Sequence, residues 1–123
     1  MRLLLVAALA LVALALPLAG QAKDGDVRAV KRCTGVSTAK LKLSEEDGRI
    51  EVEGEVDQNR NGVAWQWQLR VGGALVARGT GRTRAPSGSF SVRRLVADGP
   101  SAEAVVFRAS RAGESCRVSA AWR

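Results

Sequence analysis

From Ala39 onward, apolar residues occupy every second position of segment after segment, and this period of two constrains the fold more than any other feature of the chain. Ala39, Leu41 and Leu43 alternate with Lys40 and Lys42; Ile50, Val52 and Val56 alternate with Glu51, Glu53 and Glu55; Trp65, Trp67, Leu69 and Val71 alternate with Gln66, Gln68 and Arg70. Such alternation belongs to strands that bury one face. Four further strand segments cover Ala74 to Thr80, Ser89 to Val96, Glu103 to Ser110 and Ser115 to Trp122, and in the last of them Cys116, Val118, Ala120 and Trp122 share one face. Turn residues separate every pair: SEEDG from Ser44, DQNRNG from Asp57, Gly72-Gly73, Pro86-Ser87-Gly88, Asp98-Gly99-Pro100 and RAGE from Arg111. Each carries the Gly, Pro, Asn or Asp that tight turns require. No helical stripe interrupts the pattern. The expectation is an all-β fold: one seven-stranded sandwich, eight-stranded if residues 23–32 add an irregular first strand, of the immunoglobulin-like or fibronectin type III-like class. Without a tyrosine in the chain, the tyrosine corner of antibody-type domains is impossible.

The amino terminus reads differently. Arg2, the unbroken Leu, Val and Ala run from Leu3 to Leu16, Pro17, and then Ala19, Gly20, Gln21 and Ala22 follow the layout of a secretory signal peptide. The expected organisation is a signal peptide over 1–22, a short polar leader over 23–32 and the β-sandwich domain over 33–123. The apolar run is short for a bilayer span and lacks a basic stop-transfer cluster, so no membrane span is expected after signal removal and the mature protein should be secreted. Cys33 and Cys116 are the only cysteines. In an exported chain they read as one disulfide, which the chain-entropy model values at about 4–5 kcal/mol for a loop this long.

The run Cys33-Thr34-Gly35, then KLKL from Lys40, EEDG from Glu45, EVDQNRNG from Glu55 and APSGSF from Ala85 together resemble small secreted proteins of actinobacteria that have no assigned activity. The 15 Arg against 4 Lys suit a GC-rich genome of that kind. The resemblance implies a compartment and a sandwich fold, and no chemistry.

Composition removes several chemistries. There is no histidine, so His-based triads and His-ligated zinc are excluded, and two cysteines cannot build a cysteine-rich metal cluster. Glu51, Glu53 and Glu55 share one strand face and could imitate a glycosidase pair, but Lys40 and Lys42 on the preceding strand make cross-strand ion pairing the stronger reading. Asp57, Asn59, Asn61 and Gly62 match the opening of a calcium loop; its twelfth position is Gln68 where a bidentate Glu is needed, so a plain turn is expected and no cofactor is assigned.

Charge is segregated along the chain. Seven of the 12 acids lie between Glu45 and Asp57, whereas from Arg60 to Arg94 there are seven Arg and no acid. Arg78, Arg82, Arg84, Arg93 and Arg94 are the candidate residues for holding an anionic partner, on the expectation that they form one exposed patch. Trp65 and Trp67 have the period and neighbours of core residues, which ranks nucleic acid low. The function expected is a secreted, non-enzymatic binding module whose partner is an acidic wall polymer or a secreted protein. The alternative is an inhibitor of an extracellular hydrolase that presents the TRAPSGS loop from Thr83 to Ser89.

Overall fold

The computed structural model describes residues 25–100 and 104–122. The expected signal peptide lies outside the described residues. Eight strands follow in order: β1 (Val27–Arg32), β2 (Thr38–Glu46), β3 (Arg49–Asp57), β4 (Ala64–Val71), β5 (Ala74–Arg82), β6 (Ser89–Ala97), β7 (Val105–Arg111) and β8 (Glu114–Ala120). They form two antiparallel four-stranded sheets, sheet A in the order β1-β2-β3-β6 and sheet B in the order β5-β4-β7-β8. The chain is therefore an all-β sandwich closed by one disulfide.

Three tight turns set the local registers. Asp47 and Gly48 both have positive φ, 50° and 77°, as do Gly72 and Gly73 at 59° and 84°. Two consecutive residues in that region give the hairpin turn whose twist matches the strands it joins. Gly48 also receives the Glu45 carboxylate on its N–H at 2.8 Å. A third two-residue connection, Ala112-Gly113, joins Arg111 directly opposite Glu114. The other connections after β3 cross between sheets and build the sandwich.

The inward rows of both sheets meet in a single core. Leu41, Leu43, Ile50 and Val52 of sheet A face Trp65, Trp67, Leu69 and Phe107 of sheet B, all fully or almost fully buried, with Trp122 closing one side beyond β8. Gly54 stands in the middle of this contact. A Cβ on Gly54 would lie 2.6 Å from Cδ2 of Phe107, so the absence of a side chain on β3 makes room for the ring from β7.

Residues 27–32, expected as a leader or an irregular first strand, form the regular edge strand β1, paired from Val27 opposite Leu43 to Arg32 opposite Thr38. Only Val27 and Ala29 pack inward on β1, too few to show a period of two in the sequence. Its charged residues Arg28, Lys31 and Arg32 are exposed, which discourages pairing with another chain at this edge. The cystine joins the segment after β1 to β8, with Cys33 and Cys116 separated by 83 positions, so it ties sheet A to the edge of sheet B. A disulfide of this kind suits an oxidising compartment. No helix among the described residues is long and apolar enough to cross a membrane.

Candidate functional site

The parity of β4 determines what the outer face of sheet B presents. With Trp65, Trp67 and Leu69 turned inward, Gln66 and Gln68 point outward. Antiparallel register then lays two parallel rows across all four strands. One row runs Arg78, Gln68, Arg108, Arg117; the next runs Thr80, Gln66, Ser110, Ser115. At roughly 4.8 Å between neighbouring strands, each row spans about 14 Å.

Beyond β8 the face is extended by the segment after β1. The Thr34 N–H donates to the Ser115 carbonyl at 2.9 Å, the Ser115 N–H donates to the Thr34 hydroxyl at 2.9 Å, and the adjacent cystine clamps the segment in place. Lys31 and Arg32 thereby form the far wall of an open groove of about 1030 Å³. Five cations line it, Lys31, Arg32, Arg78, Arg108 and Arg117, with no carboxylate among the described lining residues.

Arg108 and Arg117 are direct cross-strand partners. Like charges in that relation repel and weaken a sheet. The glutamates of β3 lie on the other sheet. On the outer face of sheet A, Lys42 lies 3.6 Å from Glu53, while Arg93 reaches Glu51 at 3.5 Å and Glu53 at 3.3 Å. Glu55 stands opposite Lys40. Glu51 and Glu53 are thus ion-paired on the face of a sheet, and Glu55 shares that face opposite a lysine. Among the described residues, the outer face of sheet A carries charges of both signs, whereas the groove on sheet B is lined by cations without a carboxylate.

Glu114 is likewise committed, and its role is structural. Its side chain is only 1% exposed. It accepts the Ser37 N–H and the Ser37 hydroxyl, each at 2.9 Å, and pairs with Arg111 at 3.2 Å. Burial opposes its ionisation, but the Ser37 hydrogen bonds and the Arg111 guanidinium outweigh burial and hold its carboxyl below the usual glutamate range. Gly35 passes so close that a Cβ there would meet Glu114 Oε2 at 2.6 Å. This contact docks the loop between β1 and β2 onto the β7–β8 hairpin and so supports the groove's far wall. Arg111 in turn lies over the Trp65 ring, 5.4 Å from its centroid.

The five arginines expected to form one patch are dispersed. Arg78 lies in the groove. Arg82 follows on the same face of β5 and donates to the Gly62 carbonyl at 2.7 Å. Arg84 sits on the turn after β5. Arg93 projects from the outer face of sheet A into its ion pairs. Arg94, opposite Val52, belongs to the inward row of β6 and lies over the Trp67 ring, 5.2 Å from its centroid. Neighbours along a strand point to opposite faces, so Arg93 and Arg94 could not share a surface. Lys31, Arg32, Arg108 and Arg117 stand in the groove without being marked by charge segregation along the chain, although one local signal exists for two of them. The two-residue turn at Ala112-Gly113 places Arg108 opposite Arg117 by counting back from Arg111 and forward from Glu114.

The calcium-loop match does not assemble. Asp57 ends β3, Asn59 adopts a φ of 56° with its N–H on the Asp57 carboxylate at 3.3 Å, and the buried Gln58 side chain accepts the Trp65 indole N–H at 3.1 Å. Asn61 is exposed in the same turn. Gln68, the residue in the closing position, is held in the middle of β4 between Arg78 and Arg108. The TRAPSGS loop is short and firmly seated. Thr83 is buried, and Gly88 packs so tightly on the backbone of Asn59 and Arg60 that a Cβ would clash, leaving Ala85, Pro86 and Ser87 exposed at the tip.

No known protein family, curated protein or solved structure matches the chain.

Proposed function

We propose that this protein is an exported, non-catalytic binding module that holds an anionic partner on the outer face of sheet B. The observation that carries the reading is the direct opposition of Arg108 and Arg117 within a groove that has no carboxylate among its described lining residues. Folding brings these charges together at a cost, and a bound anion reverses that cost by accepting hydrogen bonds from both guanidinium groups. The gluing of Lys31 and Arg32 to the same groove by the cystine adds charge where the sheet itself ends.

Export is supported by the signal-peptide layout of residues 1–22 and by the cystine. The strand order supports an immunoglobulin-like or fibronectin type III-like sandwich: β2, β3 and β6 facing β5, β4, β7 and β8 corresponds to strands A, B and E facing C′, C, F and G, with β1 added at one edge. Such a fold is a scaffold for many functions, so the groove chemistry decides this one.

The test compares two variants of identical net charge on immobilised heparin. Arg108→Gln with Arg117→Gln removes two charges from sheet B, and Arg28→Gln with Lys40→Gln removes two from sheet A. The first should elute at clearly lower salt than wild type and the second close to it. Equal elution of the two variants would mean that retention follows net charge, and the site would be abandoned.

A further inference from the structure

Resting on that reading, we infer that the partner is a linear anionic glycan laid across the strands of sheet B, with its acid groups on the arginine row and its hydroxyls on the neighbouring row. The two rows differ in chemistry and run side by side. Arg78, Arg108 and Arg117 provide fixed positive charge, while Thr80, Gln66, Ser110 and Ser115 provide amide and hydroxyl groups that both donate and accept. Same-face neighbours along a strand are about 6.6 Å apart. A ligand in the groove therefore meets charge on one flank and neutral hydrogen-bonding groups on the other along its whole length. Sugars that carry an acid group and several hydroxyls on one ring have this two-sided character; a bare polyphosphate does not.

The neutral row is partly organised before any ligand arrives. Gln66 Nε2 donates to the Thr80 hydroxyl oxygen at 3.2 Å, which orients the Gln66 amide oxygen and leaves the Thr80 O–H available as a donor. The length of the site favours a polymer over a single small anion. Each row spans about 14 Å, and Lys31 with Arg32 continues the positive charge past β8. What the groove lacks also selects its occupant. Single-stranded nucleic acid is held largely by bases stacked on aromatic side chains. Trp67 borders this groove but packs its ring into the core, where it is 4% exposed, so no aromatic platform faces the ligand.

The experiment titrates the disulfide-bonded chain at low salt with four probes of matched charge: polygalacturonate fragments, heparin fragments, polyphosphate and oligothymidylate. The neutral row can both donate to and accept from the hydroxyls of a glycan, whereas a polyphosphate chain offers it acceptor oxygens alone. At least one glycan should therefore bind about tenfold or more tighter than the two phosphate polymers, and the two glycan arms separate carboxylate from sulfate as the preferred acid. Ser110→Ala with Ser115→Ala should weaken glycan binding by roughly two- to tenfold per hydrogen bond lost, and weaken polyphosphate binding by less. Thr80→Val provides an independent variant of the same row, and melting curves establish that each variant is folded. If polyphosphate or oligothymidylate binds as tightly as both glycans, or if the neutral-row variants bind glycan like wild type, the glycan inference falls while the anion site stands. If no probe binds at low salt, both fall.

Discussion

Replacing Arg117 by glutamine should make the protein more stable and a poorer binder at the same time. Arg117 faces Arg108 across the β7–β8 ladder, with no carboxylate among the described lining residues of the groove to offset either charge. Taking a separation of about 6 Å, slightly more than the Cβ spacing of a directly opposed pair, the repulsion in water is about 0.7 kcal/mol before screening. Screening with a Debye length of about 30 Å at 0.01 M salt leaves roughly 0.6 kcal/mol, and one of about 8 Å at 0.15 M leaves roughly 0.3 kcal/mol. For a domain of this size, those energies correspond to a Tm increase of about 2–5 °C at low salt and about 1–2 °C at physiological salt. Thermal melts of wild type, Arg117→Gln, Arg108→Gln and the double variant form a cycle that isolates the coupling between the two positions. Retention on heparin, measured on the same samples, should fall for every variant. A lower Tm at both salt concentrations would show that Arg117 supports the fold, and the argument from an uncompensated charge pair would be refuted. A stabilisation that does not shrink with salt would refute its electrostatic origin.

Trp67→Ala should destabilise by about 3–5 kcal/mol in urea melts, since it empties a core site and removes the ring beneath Arg94, whereas Gln66→Ala on the opposite face should stay within about 0.5 kcal/mol. Gly54→Ala should cost about 1–3 kcal/mol because the new Cβ enters the Phe107 ring, and adding Phe107→Leu should recover part of the loss relative to Phe107→Leu alone. Glu114→Gln should lower stability at neutral pH by about 1–3 kcal/mol through loss of the charged pairing with Arg111 and Ser37. Because the folded carboxyl titrates below its unfolded value of about 4.3, that contribution is complete above this pH and disappears as acid protonates the folded form. Wild-type and Glu114→Gln stabilities should therefore converge as pH falls, and parallel pH profiles would contradict the assignment.

Much of the sandwich was legible locally. Alternation identified the strands from β2 onward and turned Trp65 and Trp67 inward. The Asp-Gly and Gly-Gly pairs marked hairpins, and two cysteines in an export-type chain left one cystine to form. Strand β1 was harder to read because its pairing with β2 is made by the backbone, with only Val27 and Ala29 contributing apolar contacts inward. The Glu114–Ser37 contact spans 77 positions and left no local pattern at all.

The arginine grouping shows where local pattern stops. Alternation states that a residue points outward, but a two-sheet sandwich has two outer faces, and sequence proximity does not choose between them. Arg78 and Arg93 lie within 15 positions of one another yet belong to opposite sheets, because the chain crosses the sandwich after β5. Arg78 and Arg117 are far apart in sequence yet occupy one row, because β4 pairs with both β5 and β7 and β7 pairs with β8. The strands from β2 onward, their buried faces, the tight turns and the cystine are readable along the chain, because they follow from short-range backbone geometry and the chemistry of individual residues. Which charges meet is set by the folded arrangement, since it depends on pairings between distant strands whose hydrogen bonds carry no side-chain signature.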